Sequence, residues 1–187
     1  MAGDPSGKHD AGRAERFRAL ALPHLDDAYT LARFLLRNAS DADDAVQECF
    51  LRAFRHFDSQ RGPAVKPWLM AILRNVCRAA RSGNRPLAYA TGGESETDAK
   101  PLWRDADDTA EELLLRQNDS DAMRRLIEQL PDDFREVIVL REINDLPYRD
   151  IATVINAPIG TVMSRLARAR TMLRDAWIAA EGEGRSR

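Results

Sequence analysis

The chain has 187 residues, enough for one ordinary domain or two small ones. Its 44% hydrophobic and 31% charged residues exclude a disordered chain, and no apolar run approaches the roughly 18–20 residues needed to span a bilayer. A formal net charge of −2 and a pI near 6.0 would argue against a nucleic-acid partner, but the average hides a segregated distribution.

Residues 1–12 are rich in Gly, Asp, Pro and Ser and read as a loose, disordered tail with no apolar core of the signal-peptide kind, so the cytoplasm is the expected location. From Arg13 the pattern turns helical. Phe17, Leu20, Ala21, Leu25, Ala28, Leu31, Ala32 and Leu35 recur at three and four, with Pro23 splitting the run into two helices. Asn38-Ala39-Ser40 is a break, and Ser40 or Asp41 is the expected N-cap of the next helix, Asp41 to His56. That helix buries Ala45, Val46, Cys49, Phe50, Ala53 and Phe54, followed by Phe57. Its acids lead and its arginines trail, which suits the helix dipole. The loop from Asp58 to Lys66 follows. Pro67 then opens a helix from Trp68 to Arg81, with Trp68, Leu69, Ile72, Val76, Cys77 and Ala80 inward and Arg74, Asn75, Arg78 and Arg81 outward. Residues 13–82 carry 12 basic and 8 acidic side chains, a net of +4.

Residues 83–112 change character, mixing Gly, Pro, Ser and Thr with 8 acids against 3 bases, and read as a flexible acidic linker. Helical spacing resumes near Thr109 through Leu113, Leu114, Met123, Leu126, Ile127 and Leu130. After Pro131, the residues Phe134, Val137, Ile138 and Leu140 predict a helix ending near Glu142, with Asn144-Asp145 as the turn. Tyr148 to Ile155 is a short amphipathic helix with Ile151, Ala152, Val154 and Ile155 on one face. Asn156-Ala157-Pro158 breaks it, since Asn tolerates the left-handed conformation and Pro suits a helix start. A second helix follows, burying Ile159, Val162, Leu166, Ala169 and Leu173 and carrying Thr161, Ser164, Arg165, Arg168, Arg170 and Arg174 on its other faces. Two helices joined by a tight turn, the second Arg-studded, form the helix-turn-helix pattern, whose second helix enters the DNA major groove. Residues 159–175 hold four Arg and one Asp, a net of +3. The tail at 178–187 is expected to fray. With no alternating run long enough for a sheet, the expected architecture is all-α: two small helical domains, 13–82 and 113–177, on a tether.

Other chemistries find little support. Cys49 and Cys77 fall on apolar stripes with no metal-spaced partner, and read as reduced buried thiols. The Asp41/Asp43/Asp44 cluster lacks the Gly turn and distal Glu of a calcium loop. There is no phosphate-binding Gly loop, and no nucleophile has a visible partner among His9, His24 and His56, so an enzyme is not expected and neither a metal nor another cofactor is implied.

Three segments resemble a known family. DADDAVQECFLRAFRHF at 41–57 resembles the polymerase-gripping helix of bacterial sigma factors, and PWLMAILRNVCRAARS at 67–82 the promoter-melting helix with its W-L-x-x-I-x-x-N signature. The stretch 130–174 is similar to the domain that reads the −35 element. Three motifs in order, covering about four-fifths of the chain with only these two domains, match the extracytoplasmic-function (group 4) class of the sigma-70 family. The resemblance implies a sigma region 2-like domain at 13–82, a region 4-like domain with the helix-turn-helix at 113–177, and as partners RNA polymerase core (β and β′ subunits), promoter DNA and an anti-sigma factor. By the same resemblance Asp44, Gln47, Glu48 and Leu51 dock on a basic coiled coil of β′. Arg74, Arg78 and Arg81 meet the −10 backbone, and Asn75 with the Asp58–Lys66 loop holds a flipped base. On the −35 helix, Thr161, Ser164, Arg165 and Arg168 face the groove while Arg170 and Arg174 meet phosphate. Met163 and Ala167 depart from the common pattern of a basic and a bulkier residue. An acidic linker fits a tether crossing a channel built for nucleic acid, and equally a solvated spacer. Two alternatives stay open: a sigma-mimicking decoy for an anti-sigma factor, and a stand-alone helix-turn-helix regulator.

Overall fold

The computed structural model describes residues 5–60, 64–83 and 110–184, and these are helical with no strand among them. The helices are α1 (Pro5–Ala21), α2 (Leu25–Leu36), α3 (Ala39–Arg55), α4 (Val65–Arg81), α5 (Ala110–Gln129), α6 (Asp132–Ile138), α7 (Tyr148–Ile155) and α8 (Ile159–Gly184). Most of the stretch read as a linker, 84–109, lies outside the described residues.

The first lobe is built from α1 to α4. Helix α1 starts at Pro5, well inside the stretch read as a loose tail. Its anchored end, where Phe17 and Ala21 are buried, lets the helix propagate backward through Lys8, Ala11, Arg13 and Ala14, all good helix formers. A 3₁₀ turn at Leu22–His24, with Pro23 inside it, joins α1 to α2. That turn shifts the helical phase, so the expected continuous stripe is interrupted, and Leu20 and Leu25 stand exposed rather than buried. Helix α2 ends on Arg37 in the left-handed conformation, its N–H donating to the Arg33 carbonyl at 2.9 Å. Asn38, rather than Ser40 or Asp41, caps α3: its Oδ1 accepts from the Asp41 N–H at 3.0 Å. An extended backbone at Asn38 (φ −136°, ψ 134°) aims the side chain at the free amides of the first turn. Helix α4 begins two residues before Pro67, because the first-turn amides have no helical partner and proline loses nothing there. Leu69, Met70, Leu73, Val76 and Cys77 face inward as a broad buried stripe, while Ala80, expected inside, lies past the edge of the core and is exposed.

The second lobe is built from α5 to α8. Helix α6 runs without interruption into a π-helical turn, Val139–Ile143, closed by the Asn144 N–H donating to the Val139 carbonyl at 3.0 Å. Asp145 follows with φ +54° and breaks the run. Helix α7 has the expected limits. Asn156 ends it in the left-handed conformation (φ +51°, ψ 55°), and the Pro158 carbonyl accepts the first amides of α8 from Thr161 and Val162. Val162, Leu166 and Ala169 are buried and Leu173 is packed beside them, whereas Ile159, the first residue of α8, is exposed because it precedes the turn that crosses the core. Helix α8 continues to Gly184 instead of fraying at 178.

Both expected helical lobes are present, and they pack against one another. The buried residues of both lobes form one continuous core cluster, with α6 against α2 and α7 against α4. Across this seam Asn144 Nδ2 donates to the Asp27 carbonyl at 3.1 Å, an Arg37 guanidinium N–H donates to the Glu128 carbonyl at 2.5 Å, and the Arg124 guanidinium sits 5.7 Å over the Phe34 ring. None of these contacts was visible in local spacing, since the partners are 90 or more residues apart.

Candidate nucleic-acid and partner interfaces

Three helix faces carry the candidate residues. On α3, opposite the buried Ala42–Ala45–Cys49 side, Asp44 and Gln47 are exposed, Glu48 is half-buried and Leu51 is 53% exposed. The structure therefore brings all four onto one surface. Glu48 Oε1 accepts from Arg52 Nε at 2.6 Å, an i,i+4 pair that holds the carboxylate in place. The face offers acceptors around an isolated leucine, a chemistry suited to a basic partner with an apolar spot.

On α4 the prediction divides. Asn75, Arg78 and Arg81 are exposed as expected. Arg74 is not: it is only 8% exposed, and its Nε donates to Glu136 Oε1 at 2.5 Å across the seam between lobes. The outward expectation failed because Arg74 lies on the flank of the α4 stripe that α6 covers, 62 residues later in the chain. Arg81 also pairs with Asp132 of α6. A cleft between the lobes is lined by Arg74, Arg78 and Arg81 from one side and by Asp132, Asp133 and Glu136 from the other. Burial alone would raise the Asp132 carboxyl, but hydrogen bonds and charge from Arg81 and Arg135 outweigh it and hold the group below the ordinary range. In the Asp58–Lys66 loop, Asp58 pairs with Arg13 at 2.7 Å and Lys66 with Asp27 at 2.8 Å, while 61–63 lie outside the described residues. Trp68 is half-buried and packed on the core.

On α8, Ser164 and Arg168 are exposed and Thr161 and Arg165 half-buried; all four line a single open cleft together with Pro131, Asp132, Asp133 and Phe134. Arg165 pairs with Asp133 at 2.6 Å. Arg170 and Arg174 lie on another flank. Arg170 pairs with Glu142 at 2.6 Å, and its hydrogen bonds to Glu142 and then to Tyr148 strengthen its hold on the proton. Met163 is 54% exposed and Ala167 is exposed, so neither departure from the family pattern is absorbed into the core.

Sequence reasoning missed Arg135 as a structural charge. It is fully buried, its guanidinium donating to the Glu128 carbonyl at 2.9 Å and pairing with Asp132. The acidic turn Asp132–Asp133–Glu136 was also passed over, although its charges were plain in the sequence; what local spacing could not supply was the arginines it would meet. Cys49 and Cys77 are free buried thiols, both pushed up to about 12 chiefly by burial, and each is inert at neutral pH. Among the described residues no cluster suited to a metal ion is found, and no helix is long and apolar enough to cross a membrane.

Residues 20–86 match the family described as Sigma-70 region 2, and residues 120–173 match Sigma-70, region 4. The RNA polymerase sigma-H factor of Pseudomonas aeruginosa is 33% identical over 164 residues, covering 85% of this chain and 84% of that protein. The chain belongs to the extracytoplasmic-function branch of the sigma-70 family. The ECF RNA polymerase sigma-E factor of Escherichia coli is 34% identical over 145 residues, 71% of each chain. Of solved structures, CnrH bound to the cytosolic domain of CnrY superposes with a TM-score of 0.64 at 22% identity, covering 92% of this chain and 94% of that one. RpoE of Bartonella quintana, solved with the anti-sigma factor NepR, gives 0.60 at 24% identity, covering 86% and 96%. Both share the helical fold. The chain is thus an RNA polymerase sigma factor, one of a family of transcription-initiation regulators that bind polymerase and promoter DNA.

Proposed function

We infer that this sigma factor divides its labour by helix: α3 docks on the β′ subunit of polymerase core, α4 opens the −10 region, and α8 reads the −35 element in the major groove. It works in the cytoplasm, and an anti-sigma factor restrains it, as NepR was found bound to the Bartonella protein. The observation that carries the DNA reading is the two-sidedness of α8. Val162, Leu166 and Ala169 are sealed in the core while Ser164, Arg168 and Arg174 point away from it. Purified protein mixed with core polymerase and a promoter library should yield transcripts that share upstream motifs at −35 and −10. Core binding without site-selective starts would refute the reading.

Two substitutions separate readout from affinity. Arg168→Ala should relax choice at one −35 base pair by about 1–3 kcal/mol, the worth of a bidentate arginine–guanine contact. Arg174→Ala should instead weaken binding evenly across sequences and flatten its salt dependence. A salt titration on a panel of −35 variants checks both, and indistinguishable profiles would show the face assignment to be wrong.

Leu51→Asp tests the α3 face. The side chain is 53% exposed, so folding stability should stay within about 0.5 kcal/mol of the parent. Loss of a central apolar anchor should weaken core binding by at least 2 kcal/mol, roughly thirtyfold. Undiminished affinity for core in a fluorescence titration would remove Leu51 from the interface.

A further inference from the structure

We propose that Met163 of α8 is a specificity-determining residue that reads the 5-methyl group of a thymine in the −35 element. The inference rests on the reading of α8 as the −35 helix and names what one of its side chains recognises. Met163 is 54% exposed and stands outside the core cluster, in the second turn of α8. Ile159, one turn earlier, is 44% exposed, so the helix opens with two large apolar side chains turned outward. At about 100° per residue, Met163, Ala167, Ser164 and Arg168 follow one another round roughly 140° of the helix, clear of the buried Val162, Leu166 and Ala169. They share the opening turns of the second helix of a helix-turn-helix, the part that contacts base edges.

The chemistry of the side chain selects what it meets. A thioether cannot pair with a phosphate and is only a weak hydrogen-bond acceptor, so Met163 gains by entering the groove only where it finds an apolar group. Among the base edges of the major groove, the thymine 5-methyl is the one apolar group on offer. The neighbours leave room for that contact: a Cβ added at Gly160 would meet nothing within 4 Å, and Ala167 is small and exposed. Polar side chains of the same region are partly committed within the protein. Ser164 Oγ donates to the Thr161 carbonyl at 3.0 Å, and Arg165 pairs with Asp133 at 2.6 Å. Sequence choice by this face therefore falls on Met163 as well as on Arg168.

The test uses holoenzyme, formed from core polymerase and the full chain, on a duplex promoter recovered from the library. Each −35 thymine, on either strand, is replaced in turn by deoxyuridine, which removes the methyl and keeps the base pair. The parent should lose about fourfold in affinity at one such position, the worth of one buried methyl group, and little at the others. Met163→Ala should bind the thymine promoter about fourfold more weakly and no longer distinguish thymine from deoxyuridine there, whereas Met163→Leu should keep the distinction. A −35 motif without an A·T pair, or a parent indifferent to every replacement, overturns the methyl contact while the −35 reading stands. Sensitivity that survives in Met163→Ala assigns the methyl to another side chain and also overturns the proposal. So does a loss of affinity for core polymerase in the absence of DNA, which would put Met163 on a protein surface instead. If no shared −35 motif is recovered at all, the reading of α8 fails first, and the proposal with it.

Discussion

Phe17→Ala should lower the unfolding free energy by about 3–5 kcal/mol, the usual cost of truncating a buried phenylalanine. The ring is 8% exposed and stands at the centre of an aromatic cluster: Phe50, Phe54 and Phe57 meet it edge to face at centroid distances of 6.2, 5.3 and 5.3 Å. Each such pair adds about 0.5–1.5 kcal/mol beyond area burial, so the loss falls at the upper end of the range. Phe50 and Phe54 belong to α3, the helix whose opposite face carries Asp44, Gln47, Glu48 and Leu51. On the proposed docking role of that face, loosening its inner side should weaken polymerase binding without touching those four residues. Phe17→Leu, which keeps most of the volume, should cost clearly less. Urea denaturation of the three proteins decides it: a Phe17→Ala penalty under about 1 kcal/mol would mean that the cluster does not anchor α1.

Much of the fold could be read before any coordinates, because helical periodicity is a local signal. Val162, Leu166, Ala169 and Leu173 repeat at helical spacing, Asn156 supplies a left-handed residue, and the helix-turn-helix follows from those alone. Leu51 stood out for the same reason, an apolar residue on a charged face. What could not be read was long-range. Arg74 belongs to a stripe that looks solvated until Glu136 covers it, and the two are 62 positions apart. Leu20 and Leu25 fit the periodic pattern, but the 3₁₀ turn between them breaks its phase. Asn38 caps α3 in place of Ser40 or Asp41 because capping depends on one extended residue, and the pattern fixes helix ends only to within a residue or two. The two-lobe organisation was legible in composition. The packing of one lobe on the other was not, since it depends on pairs such as Asn144 with Asp27 that no window contains.

Leu166→Ala should separate the lobes energetically. Leu166 is 1% exposed in the core of the helix-turn-helix, and the substitution leaves a cavity costing about 2–5 kcal/mol. That is a large share of the stability of a small helical lobe, which is about 0.05–0.15 kcal/mol per residue. Hydrogen exchange should therefore quicken sharply through α6, α7 and α8. The segments around Leu31, Leu69 and Leu73 have their own fully buried core within α2 and α4 and should keep most of their protection. On the proposed division of labour the functional consequence is asymmetric: −35 recognition should disappear while core polymerase still captures the chain through α3. Apolar contacts of the shared core cross the seam beside the ion pairs and the Asn144 hydrogen bond, so α2 and α4 should lose some protection, but less than the helices around the cavity. If protection were lost in step across all the helices, and capture by polymerase fell along with DNA binding, the seam would have to be as strong as the cores.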